Sequence, residues 1–186
     1  SWGRDSVVLA HLVALSGMAD LGLVHLHVLP APNPHTPAVR DVFLAQWPLN
    51  YREIVHTSLY GRPAIERMVA KKSFGSLFLA AGCPPRYLCG VRADESGDRR
   101  RRMRNHGIST KRSCAPLGWW TSADVFGYLA VHGLPVHPNY GMTGNGRWSR
   151  DRIRVSELGG EFGNEFGRAE WEAEYYGDIL RRLDSR

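Results

Sequence analysis

Six residues at the start of the sequence, Ser1-Trp2-Gly3-Arg4-Asp5-Ser6, carry the chemistry of an anion site. They run straight into Val7-Val8-Leu9-Ala10 and on through Leu12, Val13 and Leu15, an apolar run that predicts a buried helix. A Ser/Gly turn feeding a helix aims backbone N–H groups and the positive end of the helix dipole at one spot, which suits a phosphate or pyrophosphate. Gly3 allows a close backbone approach or a positive φ, and the hydroxyls of Ser1 and Ser6 can donate to phosphate oxygens. Arg4 adds a cation, and Asp5 a carboxylate able to face a magnesium ion. The same six residues also read as a frayed terminus with Asp5 near a helix start. Taken alone they leave both readings open.

A second charged stretch, Gly90-Val91-Arg92-Ala93-Asp94-Glu95-Ser96-Gly97-Asp98-Arg99, follows a predicted strand. One reading is a solvated helix start, acidic first and basic after, as the dipole favours. The other is a second nucleotide loop whose arginines reach phosphate or sulfate, since guanidinium forks bind such groups bidentately. Arg100, Arg101, Arg102 and Arg104 extend the basic run. At helical spacing these cannot all face one site, so most of them are expected in solvent.

Ser-x-Gly-x-Asp-Ser before an apolar helix containing His11-Leu12 resembles the pyrophosphate loop of the adenine-nucleotide α-hydrolase superfamily. Within it the likeness is to phosphoadenylyl-sulfate reductases, the small subunit of ATP sulfurylase and the DNA-phosphorothioation ATPases. Trp2 stands where that loop usually has Gly, and Arg4 where it usually has Lys. The second stretch is similar to the family's Gly-hydrophobic-Arg-x-Asp/Glu-Glu/Gln-Ser-x-x-Arg, matched at Gly90, Arg92, Asp94, Glu95, Ser96 and Arg99. Pro116, Trp120, Asp124 and Val125 resemble a third segment, and Leu134-Pro135-Val136-His137-Pro138-Asn139-Tyr140 the loop after it. Thr121 reads as the N-cap of the intervening helix. These segments lie in the family's order over positions 1 to 140.

The resemblance implies a Rossmann-like α/β fold of the HUP type, with a mostly parallel sheet and flanking helices. It implies a single domain over 1–186, with its core in 1–140 and a glycine/arginine-rich loop and terminal helix in 141–186. A loop of this kind normally follows a buried central strand, so the first strand is expected to lie outside this sequence, the chain being truncated at its N-terminus. In the implied site Ser1, Gly3, Arg4, Asp5 and Ser6 bind nucleotide together with Gly90, Arg92, Glu95, Ser96 and Arg99. Asp5 holds Mg2+, and Arg4 and Asp5 are the catalytic pair. The ligand is ATP or a related adenylyl nucleotide, attacked at its α-phosphate with release of pyrophosphate for sulfur transfer. A sulfur-donor or acceptor protein is the implied partner.

The elements that must position these residues are legible in outline. After the helix from Asp5 to Ser16, Leu23–Leu29 alternates and reads as a strand ending in the rigid loop Pro30–Pro34. Thr36-Pro37 reads as the N-cap and first position of a helix through Ala45. Arg52–His56 is a short strand, Pro63–Lys71 a basic amphipathic helix, Tyr87–Val91 a clear strand and Arg168–Arg182 a terminal helix. Gly141–Arg152 is expected to be a mobile loop. Alternating strands and helices predict an α/β protein.

Length and composition bound the rest. The chain has 186 residues, 43% of them hydrophobic, enough for one domain with a real core. No apolar stretch approaches the ~20 residues of a membrane span, and the run at 7–15 lacks the basic leader and cleavage site of a secretory signal. Three cysteines point to a reducing, cytoplasmic setting rather than a disulfide framework. The net charge of +6 suits nucleotides and equally nucleic acid. There is no cysteine after Cys114, hence no C-terminal Glu-Cys-Gly of the thiol-dependent reductases, and no paired cysteines for an iron–sulfur cluster. Cys89 reads as a small buried hydrophobe; Cys83 and Cys114 fit no strong zinc spacing. His11, His25 and His27 read as structural. Two alternatives stand beside the pyrophosphatase: a phosphoadenylyl-sulfate reductase without its catalytic tail, and a non-catalytic nucleotide or nucleic-acid binding module.

Overall fold

The computed structural model describes residues 1–18, 20–29, 31–57, 78–159 and 167–185. It is a mixed helix-and-strand protein whose strands pair in parallel. Helix α1, Arg4–Leu15, starts at Gly3 in extended conformation, where the Val7 N–H closes the first turn on the Gly3 carbonyl at 3.0 Å. Val7, Val8, Ala10, His11 and Val13 are all buried, as the all-round apolar pattern requires. Gly17 takes a positive φ of 67° just past its end.

Strand β1, Gly22–Leu29, runs parallel to β2, Asn50–Thr57, in an unbroken register from Gly22 opposite Asn50 to Leu29 opposite Thr57. Helix α2, Thr36–Gln46, makes the crossover between them. Thr36 is not its N-cap: the helix already contains it, and the turn is set by Asn33, whose Oδ1 accepts the His35 N–H at 3.1 Å. The expected helix at 63–71 lies outside the described residues.

A second parallel pair is much shorter. Strand β3, Tyr87–Leu88, lies beside β4, Ser113–Cys114, joined through a 3-10 turn at Ala93–Glu95 and helix α3, Gly97–His106. The expected strand through Val91 stops at Leu88, because the chain peels away through Gly90 to deliver Arg92 to Asp5. Cys89 stands just past the strand and is half-buried, its N–H donating to the Cys114 carbonyl at 2.9 Å. Among the described residues the two pairs form separate two-stranded sheets.

Helix α4, Ser122–Val131, has Thr121 as its N-cap in a reciprocal box with Asp124. The hydrogen bonds from Thr121 hold the Asp124 carboxyl below its ordinary range. Helix α5, Arg168–Asp184, is kinked at Tyr176. No helix among the described residues is long and apolar enough to cross a membrane.

Two apolar clusters fix the site. Trp2 is 4% exposed and packs on Phe43 of α2 and Tyr51 of β2, ring centroids 5.6 and 5.7 Å away. It joins Val7, Val8, Leu117, Val125 and Leu129 in one core. The second cluster gathers Tyr140, Trp148, Ile153, Val155, Trp171 and Tyr176. The segment 141–152 is therefore a wall, not the mobile loop its glycines suggest. Buried Trp148, the Trp171 Nε1 bond to the Met142 carbonyl at 2.8 Å and the Gly144 N–H bond to Tyr175 Oη at 3.0 Å anchor it.

Candidate functional site

The two charged stretches meet at Asp5, in the first turn of α1. A Cβ at Gly90 would come within 3.1 Å of the Asp5 Cβ and 3.2 Å of its backbone carbonyl, a tighter approach than most side chains make. Arg92 is 1% exposed, and its Nε donates to Asp5 Oδ1 at 2.5 Å, across 87 positions of sequence. Its Nη1 reaches the Trp120 carbonyl at 3.3 Å and Asp94 Oδ2 at 3.4 Å. The Arg92 N–H donates to Glu95 Oε2 at 2.8 Å, and Arg99 Nη1 donates to the same oxygen. Asp94 in turn accepts the Ser122 N–H at 3.0 Å, which ties the third segment to the other two. Burial pushes the Asp5 carboxyl above its ordinary range, against the pull of Arg92 and Arg4.

The first loop divides into an inner and an outer half. Arg4 points inward: 5% exposed, its guanidinium lies 4.9 Å from the Phe126 ring centre and 5.4 Å from that of Tyr140. Its Nη2 donates to the Asp151 carbonyl at 3.0 Å and its Nη1 to Asp151 Oδ1 at 3.4 Å, while its Nε, 3.7 Å from Asp5 Oδ2, makes no hydrogen bond. Asp151 also accepts from the Ser122 hydroxyl. The Arg4 N–H donates to Tyr140 Oη at 3.2 Å, and a Cβ at Gly3 would lie 2.6 Å from Val155 Cγ2. Ser1 and Ser6 face outward, their hydroxyl oxygens 3.3 Å apart. As second and third residues of α1, Asp5 and Ser6 have N–H groups without an intrahelical acceptor.

Beside Ser1 opens a cleft of about 220 Å³, between the C-terminal half of β1, the start of α2 and residues 155–157. Its charged lining is Arg40, Glu53 and Glu157; Glu53 accepts from Tyr51 Oη at 2.5 Å and Arg40 Nη1 at 2.7 Å, with His25 Nδ1 at 3.5 Å. Burial works against the Glu53 carboxylate, but the Tyr51 and Arg40 hydrogen bonds outweigh it and hold the group down to about 2. Burial lowers His25 to about 4, so it is neutral at physiological pH. His27 and Thr36 complete the rim.

The residues expected to form one site fall into four positions. Asp5, Arg92, Glu95 and Arg99 form one hydrogen-bonded unit with Gly90 packed on Asp5, and in it Arg99 is one step removed, held by Glu95. Ser1 and Ser6 lie at the mouth of the loop. Gly3 and Arg4 are packed beneath it. Ser96 caps α3, its Oγ accepting the Arg99 N–H at 3.2 Å. His11 is structural as expected, bonded to Tyr128 Oη at 2.9 Å. Sequence reasoning missed Asp151, Tyr140 as a partner of Arg4, and the Tyr51–Glu53–Arg40 group. The one usable signal was Arg4 itself, since an arginine inside an apolar segment requires an acid elsewhere.

A metal bound here would have Asp5 as its protein carboxylate. Among the described residues no group of three His, Cys, Asp or Glu side chains is placed to cage a cation. No known protein-family model matches the sequence, and no curated protein matches it.

Proposed function

We propose that the chain is an adenine-nucleotide enzyme similar to the phosphoadenylyl-sulfate reductase family, built on a Rossmann-like α/β fold and acting at the α-phosphate of ATP or a related adenylyl nucleotide. The observation that carries this reading is the meeting of its two charged stretches at Asp5 through Gly90 and Arg92. A solvated helix start would not bury a guanidinium 87 residues away against the first turn of another helix. The cleft beside Ser1, at the carboxyl half of β1, is where open α/β sheets take their ligands.

In this reading the nucleoside enters the cleft and its phosphates lie over the free N–H groups of Asp5 and Ser6, with the Ser1 and Ser6 hydroxyls donating. A nucleophile adds to the α-phosphorus as the α–β bridging P–O bond breaks, and the electron pair leaves on pyrophosphate. Magnesium held by Asp5 would supply charge neutralisation of the leaving phosphates. Arg92 orients Asp5, and Arg99, 38% exposed, can swing from Glu95 to a phosphate. Arg4 is a positioning residue: it fixes the loop from below through Asp151 and Tyr140. The adenylylated product would pass to a sulfur donor or acceptor, in a cytoplasmic setting that suits three free cysteines.

Calorimetric titration with Mg–ATP, followed by a pyrophosphate-release assay across candidate sulfur acceptors, tests the proposal. Binding at micromolar ATP that disappears in Arg92→Ala and Asp5→Ala is expected. Unchanged ATP binding in both variants would sink it. Binding without turnover on any acceptor would leave a nucleotide-binding module in place of an enzyme.

A further inference from the structure

Helix α3 begins beside the candidate site and runs away from it. It links β3 to a parallel β4, so its C-terminal end lies at the amino ends of both strands, about 15 Å from its start. Met103 is its buried residue, while Arg100, Arg101, Arg102 and Arg104 are exposed. Arg101 is matched by Asp98, but among the described residues no carboxylate pairs with Arg100, Arg102 or Arg104. Arg100 and Arg104, four apart, share one side of the helix about 6 Å apart along its axis. Beyond the helix the chain doubles back, the Thr110 N–H donating to the Ser113 carbonyl at 2.8 Å, and exposed Lys111 and Arg112 stand at the tip. Arg86, also exposed, joins them through a 3.2 Å bond from its Nε to the Lys111 carbonyl.

We propose that this face, the outer side of α3 with the tip at Lys111-Arg112, docks the phosphate backbone of a nucleic acid, at a place separate from the nucleotide site. Like charges four apart weaken a helix, and no carboxylate among the described residues pairs with Arg100 or Arg104. A polyanion supplies that missing counter-charge. All but Lys111 in the group are arginines, whose forks engage phosphate oxygens in pairs. The charges come from three separate segments of the chain and all stand exposed, which suits an extended backbone better than a small anion. The proposed contacts are to phosphate, so binding is expected to be indifferent to sequence.

The test uses the full chain with a fluorescently labelled duplex of arbitrary sequence, read by anisotropy at about 50 and about 200 mM salt. Steep salt dependence is expected. The quadruple variant Arg100→Ala, Arg104→Ala, Lys111→Ala, Arg112→Ala should lose about tenfold or more in affinity, its logarithmic salt slope falling by about 0.9 for each phosphate contact removed. Its Mg–ATP affinity should match that of the parent, since none of the four touches Asp5 or Arg92. The quadruple Lys variant, which keeps the charge, should retain most of the binding. A loss under twofold in the Ala variant, with circular dichroism showing it folded, would overturn the proposal. So would tighter binding to polyglutamate or to anionic-lipid vesicles than to the duplex.

Discussion

Asp5 and Glu53 are alike in setting and opposite in behaviour. Each is a carboxylate held by an arginine, and their exposures are close, 21% and 27%. Burial opposes the charge of both. At Asp5 it prevails and raises the group, because Arg92 gives one short hydrogen bond while Arg4 stays 3.7 Å off and Glu95 repels. At Glu53 it loses, because Tyr51, Arg40 and His25 converge on one oxygen and the group falls to about 2. Depth of burial and the number of donors act together: Asp5 lies deeper with fewer donors, Glu53 shallower with more. Asp5 is thus the carboxylate with fewer donors, and Glu53 the one already satisfied.

Removing Arg92 should have the largest effect. Arg92→Ala leaves Asp5 buried with only a distant cation, and should cost about 3–5 kcal/mol in urea denaturation. It also takes away the charge that pulls Asp5 down, so the Asp5 carboxyl rises further. A carboxyl raised in the folded state stabilises below its unfolded value and loses that contribution as pH rises through the folded value. The Arg92→Ala loss should therefore be larger at pH 8 than at pH 5, and a loss that is flat with pH would show that Asp5 does not depend on Arg92.

Tyr51→Phe comes next. It deletes a 2.5 Å bond to a charged acceptor and should cost about 1.5–3 kcal/mol by the same measurement. Arg40→Ala should cost less, about 0.5–1 kcal/mol, because the guanidinium divides itself between Glu53 and exposed Asp41. If Arg40→Ala costs more than Tyr51→Phe, the hydroxyl is not the principal donor.

The narrowest effect is the pH profile of Glu53, confined to the acid limb. Its folded value is depressed, so its contribution is whole above 4.5 and is lost as pH falls towards about 2. Glu53→Gln should flatten the acid limb of the denaturation midpoint in that window and leave the profile above it unchanged.

What the sequence made legible was local. The apolar run set α1, alternation set β1, and Thr121 with Asp124 set the start of α4. Spacing alone brought Arg92, not Arg99, into the buried position, because Gly90 clears the way to Asp5. What stayed hidden was partner choice over long separations. Arg4 resembles a phosphate ligand by position, yet it lies beneath the loop because Asp151, 147 residues on, and two aromatic rings offer it a place. The glycines of 141–152 suggested motion, but Trp148 and Trp171 outweigh them once α5 packs alongside. β3 is short for a related reason: a residue peeled off to make a long-range ion pair cannot also extend a sheet.

The grip on the first loop has a consequence for the order of assembly. Its backbone is held by Tyr140, its arginine by Asp151 and its glycine by Val155, all more than 130 positions downstream. On the ribosome the loop emerges long before any of these, with an interval of roughly 10–30 s at ordinary synthesis rates. Until then the anion site has a floor of α1 but neither underside nor far wall. On the proposed reading, nucleotide recognition waits for residues 140–155, so this loop takes up its function only after chain far downstream of it has been made.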